Sequence, residues 1–351
     1  MKRVTIAGRE IGPDRPPYVI AEMSANHNGS LERALAIVAA AKSSGADAIK
    51  LQTYRADTIT IDHDGPEFMV RGGLWDGSSL YELYQKAAMP WEWHEPLFKR
   101  ARELGITVFS SAFDPTAVDL LEQLGAPAYK VASLEVCDIP LIERIAATGK
   151  PIILSTGASE LGEIAEAVAA ARGAGAEQLV LLHCTSGYPT PATDSNLRTI
   201  PHLAQMFDAI VGLSDHTMGI AVPIAGVAAG ACVLEKHVTL RRADGGVDSA
   251  FSLEPEELAA LVEGARTAWE AMGRVHYGIE ASEAKVREFR RSIYVVADIG
   301  AGEVISEHHV RSIRPGLGLA PKYLSKVLGR RVGRDVRRGT PLRWDMLEPV
   351  D

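Results

Sequence analysis

The chain has 351 residues, 46% hydrophobic and 23% charged, which allows one large buried core and a small additional domain. A net charge of −8 argues against general affinity for nucleic acid, so an anionic substrate would need a local cluster of Lys and Arg. Cys137, Cys184 and Cys232 are odd in number and widely spaced, and read as reduced, buried thiols of a cytoplasmic protein. MKRVTIAGREIG lacks the apolar run of a signal peptide, and no stretch approaches the ~20 apolar residues that span a bilayer.

In chain order, VTIAGREIG alternates and predicts a hairpin within residues 1–17. Eight apolar stretches follow, each ending in polar residues: YVIAEM (18–23), DAIKLQ (47–52), ITVFSS (106–111), AYKVAS (128–133), PIILST (151–156), LVLLHC (179–184), AIVGLSD (209–215) and CVLEKH (232–237). Between them run Ala- and Leu-rich segments of helical period. Ser30 is the expected N-cap of the first helix and Gly45 its stop. Residues 53–79 show no clear period and predict an active-site loop; helices are expected over 90–105 and 254–273. This rhythm predicts an α/β fold, a (β/α)8 TIM barrel plugged at the bottom by the hairpin, with its chemistry at the C-terminal strand ends. Residues 1–273 form the expected barrel domain and 274–289 a linker. Residues 290–351 read as a small, basic, β-rich module.

The strand ends carry the candidate chemistry. His216 and His237 end neighbouring strands and could hold an ion such as Mn²⁺, Co²⁺ or Zn²⁺, or serve as a base without metal. Lys50 and Lys130 lie inside apolar strands, where a charge needs a partner. Alternation sends Lys236 to the face opposite His237. Ser111, Ser133, Ser155, Ser186 and Ser214 suit phosphate or carboxylate oxygens. Glu22 and Glu135 suit acid–base work, sugar contacts or salt bridges to Lys50 and Lys130. Asp244 and Asp248 lie on a Gly-rich loop after the last strand. PWEWHEP reads as a packing cluster, and RPGLG (314–318) lacks the strand–helix context of a phosphate loop.

AEMSANHNGSLERAL (21–35), IKLQTY (49–54), FSSAFD (109–114), YKVASLE (129–135), ILSTG (153–157), LHCTSGYPTP (182–191), GLSDHTMG (212–219), LEKHVTL (234–240) and SIRPGLGLAP (312–321) resemble, in order, the motifs of the sialic acid synthase family. The resemblance implies a C-terminal antifreeze-like (SAF) domain. It also implies condensation of phosphoenolpyruvate with an N-acetylated amino sugar, with a divalent metal (Mn²⁺, Mg²⁺ or Co²⁺) and C–O cleavage. AEMSANHN, RGGLWDGSSLYELY (71–84) and RADGGVDSAFSLEP look most like the pseudaminate-forming branch, whose acceptor is 2,4-diacetamido-2,4,6-trideoxy-L-altrose; the neuraminate and legionaminate branches share the chemistry.

Carried over by position, the resemblance makes His216 and His237 metal ligands. It places Lys50, Ser111, Lys130, Ser133, Ser155, Ser186 and Ser214 around phosphoenolpyruvate. Glu22 becomes a catalytic carboxylate, and Glu135, Tyr188, Asp248 and Arg314 become sugar contacts. Arg314 would reach a partner subunit's site in a domain-swapped homodimer. Two rival readings are a Schiff-base aldolase using Lys130 or Lys50, and a non-catalytic sugar-acid or ice-surface binder.

Overall fold

Alternation along eight parallel strands decides which side chains meet at the centre of the molecule. In the computed structural model, which describes residues 2–349, hairpin strands β1 (Val4–Ile6) and β2 (Arg9–Ile11) are followed by the barrel. The outermost positions of the two predicted domains, residues 1, 350 and 351, lie outside the described residues. The barrel comprises β3 (Tyr18–Glu22), β4 (Ala48–Thr53), β5 (Thr107–Ala112), β6 (Tyr129–Val131), β7 (Ile152–Ser155), β8 (Leu179–Cys184), β9 (Ile210–Asp215) and β10 (Val233–His237). β10 pairs back onto β3 and closes it. Each predicted apolar stretch is one strand, in the predicted order.

The strands are apolar on both faces because both are covered. Val19, Ile49, Leu51, Val108, Val131, Leu154, Leu181, Leu213 and Leu234 pack outward against the helices. Tyr18, Ile20, Ala48, Phe109, Ile153, Val180, Leu182 and Val233 fill the interior, in one cluster with Val4, Ile6 and Ile11 of the hairpin. The hairpin therefore seals the floor and leaves the polar strand ends as the open end.

Local signals set the helix boundaries. The Arg33 N–H donates to Ser30 Oγ at 3.2 Å at the start of helix Leu31–Ser43. The helix expected at 90–105 divides into a 3₁₀ turn, Trp91–Trp93, and an α-helix, His94–Leu104. The expected loop at 53–79 contains a helical turn, Ala56–Ile59, and two 3₁₀ turns, Pro66–Phe68 and Gly73–Trp75. One expectation fails: Cys137 is exposed in the turn after β6, while Cys184 and Cys232 are buried.

The chain divides into two compact units, Met1–Gly273 and Arg274–Asp351. In the second, β11 (Ser292–Val295) pairs antiparallel with β12 (Val310–Ile313) over a core including Ile293, Val295, Ile305, Val332 and Leu342. Ser292 Oγ donates to the Pro315 carbonyl at 2.6 Å and accepts from the Gly318 N–H at 3.0 Å, pinning the RPGLG turn. A Cβ at Gly318 would lie 2.5 Å from the Ile293 carbonyl oxygen, so only glycine fits. No helix among the described residues is long and apolar enough to cross a membrane.

Lys236 points away from the barrel interior, as alternation requires, and its Nζ donates to Asp215 Oδ2 at 2.5 Å, both side chains buried. Removing one partner of a buried pair strands the other charge, at a cost of ~3–5 kcal/mol. Asp215→Ala is therefore expected to lower unfolding free energy by about that amount in denaturant titration, with Asp215→Leu/Lys236→Met recovering most of it. A loss below ~1 kcal/mol for the single variant would contradict the pairing.

Candidate active site

The strand register assembles the inward side chains into short runs of neighbours. His237 lies beside Glu22, and Glu22 beside Lys50. Gln52 lies beside Ser111, and Ser111 beside Lys130. Cys184 lies beside Ser214, and Ser214 beside Glu235. Residues far apart in sequence thus share one wall because parallel neighbours point to the same face.

At the centre are four buried charges. Lys50 Nζ lies 2.6 Å from Glu22 Oε2 and 3.6 Å from Glu235 Oε1, and Lys130 Nζ lies 3.7 Å from that same Glu235 oxygen. Gln52 Nε2 donates to Glu22 Oε1 at 3.0 Å, Lys50 Nζ to Ser111 Oγ at 3.1 Å and Ser214 Oγ to Glu235 Oε1 at 3.1 Å. Burial lifts Glu22 to about 7 against the attraction of Lys50. Burial would raise Glu235 too, but Lys130 and Lys50 together hold it below the usual carboxylate range. Lys50 stays above its ordinary value, because Glu22 and Glu235 outweigh its burial. Burial brings Lys130 below its own.

The remaining serines gather around the β7 end. The Gly157 N–H donates to Ser133 Oγ at 3.2 Å. A Cβ on Gly157 would lie 2.3 Å from Ser186 Oγ, 2.8 Å from Ser133 Oγ and 3.1 Å from Cys184 Sγ, so the absence of a side chain there lets these groups converge. Ser155 Oγ is buried without a hydrogen-bond partner among the described residues, as are Glu235 Oε2, Glu135 Oε2 and His237 Nδ1. Several orphaned buried polar atoms at one barrel mouth suit a ligand that would supply their partners.

His216 and His237 face each other with ring centres 5.3 Å apart. His216 Nδ1 lies 2.9 Å from the Thr185 carbonyl, so as a donor it leaves Nε2 free as a lone pair. Burial, then the neighbouring His216, keep His237 far below its ordinary value and hence neutral. Burial would lower His216 as well, but its contact with Cys184 raises it. Two imidazoles with available nitrogens on adjacent strands fit a divalent ion. No group of three or more His, Cys, Asp and Glu among the described residues is placed to hold one, so the chain would supply only the two histidines.

Aromatic rings roof the pair. Tyr188 lies 4.4 Å from His216, Phe251 5.0 Å from His237, and Tyr188 and Phe251 5.2 Å from each other, centre to centre. Asp248 is buried, accepts from the Ala25 N–H at 3.3 Å, and has Oδ2 4.0 Å from His237 Nδ1. Glu135 follows β6 in a 3₁₀ turn; burial lifts it to about 7, with Lys130 opposing. Asp244, in contrast, is tied up by Arg33 and Arg241.

Among the predicted site residues, thirteen belong to the barrel unit and lie at its strand ends or in the loops that follow them: Glu22, Lys50, Ser111, Lys130, Ser133, Glu135, Ser155, Ser186, Tyr188, Ser214, His216, His237 and Asp248. Arg314 belongs to the second unit and is exposed in its turn. Sequence reasoning missed Glu235, Cys184 and Phe251 as members of the group. Counting back two from His237 would have found Glu235.

The chain matches the NeuB family over residues 37–277 and the SAF domain over residues 290–348. It is 42% identical over 330 residues to pseudaminic acid synthase of Campylobacter jejuni, covering 94% of this chain and 96% of that protein. It is 37% identical over 336 residues to N,N'-diacetyllegionaminic acid synthase of Legionella pneumophila, covering 94% of each. The solved structure of N-acetylneuraminic acid synthetase from Leptospira borgpetersenii, in complex with citrate, superposes with a TM-score of 0.73 at 32% identity, covering 81% of this chain and 95% of that one.

The raised Glu135 carboxyl has a signed consequence for stability. Its folded value of about 7 lies above the unfolded 4.5, so its favourable contribution is full below 4.5 and is lost as pH rises through 7. Glu135→Gln, neutral throughout, should therefore gain on the wild type by up to about 3 kcal/mol between pH 4.5 and 8. Thermal midpoints measured across that range check it, and a difference independent of pH would contradict the assignment.

Proposed function

Because the chain belongs to the NeuB family, we propose that it is a pseudaminic acid synthase, condensing phosphoenolpyruvate with 2,4-diacetamido-2,4,6-trideoxy-L-altrose and water to give pseudaminic acid and phosphate. The observation that carries this reading is the placement of two buried lysines and a group of serines, an anion pocket, directly against a pair of histidines suited to a metal. Identity to the pseudaminate and legionaminate synthases supports the reaction class, and the higher value for the former supports the branch.

In this proposal Lys50, Lys130, Ser111, Ser133, Ser155, Ser186 and Ser214 hold the phosphate and carboxylate of phosphoenolpyruvate. His216 and His237 would hold a divalent ion (Mn²⁺, Mg²⁺ or Co²⁺), which supplies Lewis-acid polarisation of the sugar's aldehyde oxygen. Asp248, Tyr188 and Glu135 orient the open-chain sugar so that its aldehyde carbon faces C3 of phosphoenolpyruvate. As C3 bonds to the aldehyde carbon, the C=O π pair moves onto the aldehyde oxygen, which takes the proton that Glu22 gained on ligand binding, and the Glu22 carboxylate so formed stabilises the positive charge left at C2. Water adds at C2, its proton passing to a basic group such as Glu22, and the tetrahedral intermediate expels phosphate by breaking the C2–O bond. Arg314 completing a partner chain's barrel mouth in a domain-swapped homodimer is part of the same proposal and rests on family resemblance. A cytoplasmic location goes with the donor.

The Schiff-base alternative asks a lysine to be a neutral nucleophile. Lys50 is held by Glu22 at 2.6 Å and kept charged, which disfavours Lys50 in that role; burial lowers Lys130, so for that lysine the borohydride test below decides. Phosphate release from phosphoenolpyruvate, measured against a panel of mono- and diacetamido sugars, tests the whole reading. Release should require acceptor, stop reversibly on chelation, and run fastest with the 6-deoxy diacetamido sugar. Lys50→Ala and Lys130→Ala should each raise the KM for phosphoenolpyruvate at least ~10-fold, since a charged contact contributes about 1.5–3 kcal/mol. Faster turnover of N-acetylmannosamine would move the chain to the neuraminate branch, and a borohydride-trapped pyruvate adduct would overturn the synthase mechanism.

A further inference from the structure

We propose that Trp75 is the residue that reads the deoxy end of the acceptor sugar, an inference that rests on the acceptor reading given above. A series of rings leads outward from the histidine pair. Tyr188 lies 4.4 Å from His216, and Trp75 lies 5.6 Å from Tyr188 on the side of the long loop that follows β4. The reacting carbonyl of the acceptor belongs beside the histidines. In this proposal the other end of its carbon chain extends along these rings.

Trp75 offers that end only carbon. Its single donor, Nε1–H, is taken by the Val247 carbonyl at 3.1 Å, and an indole has no acceptor. A methyl group against such a face leaves water at a gain. A hydroxyl in the same place loses its water hydrogen bonds and finds none on the indole. The hydrogen bond to Val247 restrains the ring, because it ties the 3₁₀ turn Gly73–Trp75 to the loop after β10. Next along that loop is Asp248, 4.0 Å from His237. The contact therefore holds the apolar wall in fixed register with the reaction centre.

An apolar wall rejects an added hydroxyl only moderately, by up to about 10² in kcat/KM. The experiment compares kcat/KM for the 6-deoxy diacetamido sugar and its 6-hydroxy counterpart in the wild type, Trp75→Phe and Trp75→Asn. The wild type should prefer the deoxy sugar by about 10- to 100-fold. Trp75→Phe keeps a carbon face without the N–H and should retain most of that preference. Trp75→Asn should reduce it about fivefold or more, chiefly by improving use of the hydroxy sugar, with the KM for phosphoenolpyruvate unchanged. A wild type that favours the hydroxy sugar overturns the acceptor reading and this inference with it. A wild type that favours the deoxy sugar, with a ratio unaltered in Trp75→Asn because both rates fall together or neither falls, overturns the role of Trp75 alone.

Discussion

Four ionisable side chains, Glu22, Lys50, Lys130 and Glu235, meet inside a barrel whose floor is sealed by apolar residues. An isolated ion at that depth would cost several kcal/mol or more, so none of the four is tolerable alone. Together they balance, two positive and two negative. The balance is incomplete by design of the geometry: Glu22 sits close to Lys50, while Glu235 is shared at longer range between both lysines. Burial and the neighbouring Glu235 charge lift Glu22 toward neutrality despite Lys50, whereas Lys130, Lys50 and the Ser214 hydrogen bond outweigh burial at Glu235 and keep it ionised. An anion entering beside the lysines competes with these carboxylates, and Glu22, already near its midpoint, is the one positioned to yield by taking a proton.

The rest of the fold serves that arrangement. The hairpin and lower strand residues exclude water from one end, so polar groups collect at the other. Parallel register brings side chains from strands far apart in sequence onto one inner wall, and Gly157 lets Ser133, Ser186 and Cys184 converge beside it. Tyr188 and Phe251 cover the histidines, and the Trp75–Val247 bond joins the two longest mouth loops above them. A site so enclosed strengthens every charge interaction inside it.

Much of this was legible in the sequence because strands carry a simple code. Period two separated Lys236 from His237, and Lys236 does pair with Asp215 on the outer side. Apolar runs ending in polar residues located the mouth, and Ser30 announced a helix that it does cap. Glu235 escaped because only Lys236 and His237 were weighed on that strand, although period two places Glu235 on the same face as His237. Phe251 and Trp75 lie in loops that the sequence marked, but an aperiodic loop does not say which side chain turns inward; the folded loops bring Phe251 to His237 and Trp75 to Tyr188. Gln52 reaches Glu22 through strand register, which no local pattern encodes.

The central claim is that ligand binding is coupled to the charge state of the buried group through Glu22. Calorimetric titration with phosphoenolpyruvate near pH 8, about one unit above the Glu22 value, in buffers of different ionisation enthalpy, reads that coupling directly. At that pH the phosphate of the ligand is already fully ionised, so proton exchange reports on the protein. The account predicts uptake of a substantial fraction of one proton by the wild type and markedly less by Glu22→Gln, where Glu135 is the remaining carboxyl near its midpoint. Binding without uptake, or equal uptake in both proteins, would contradict it.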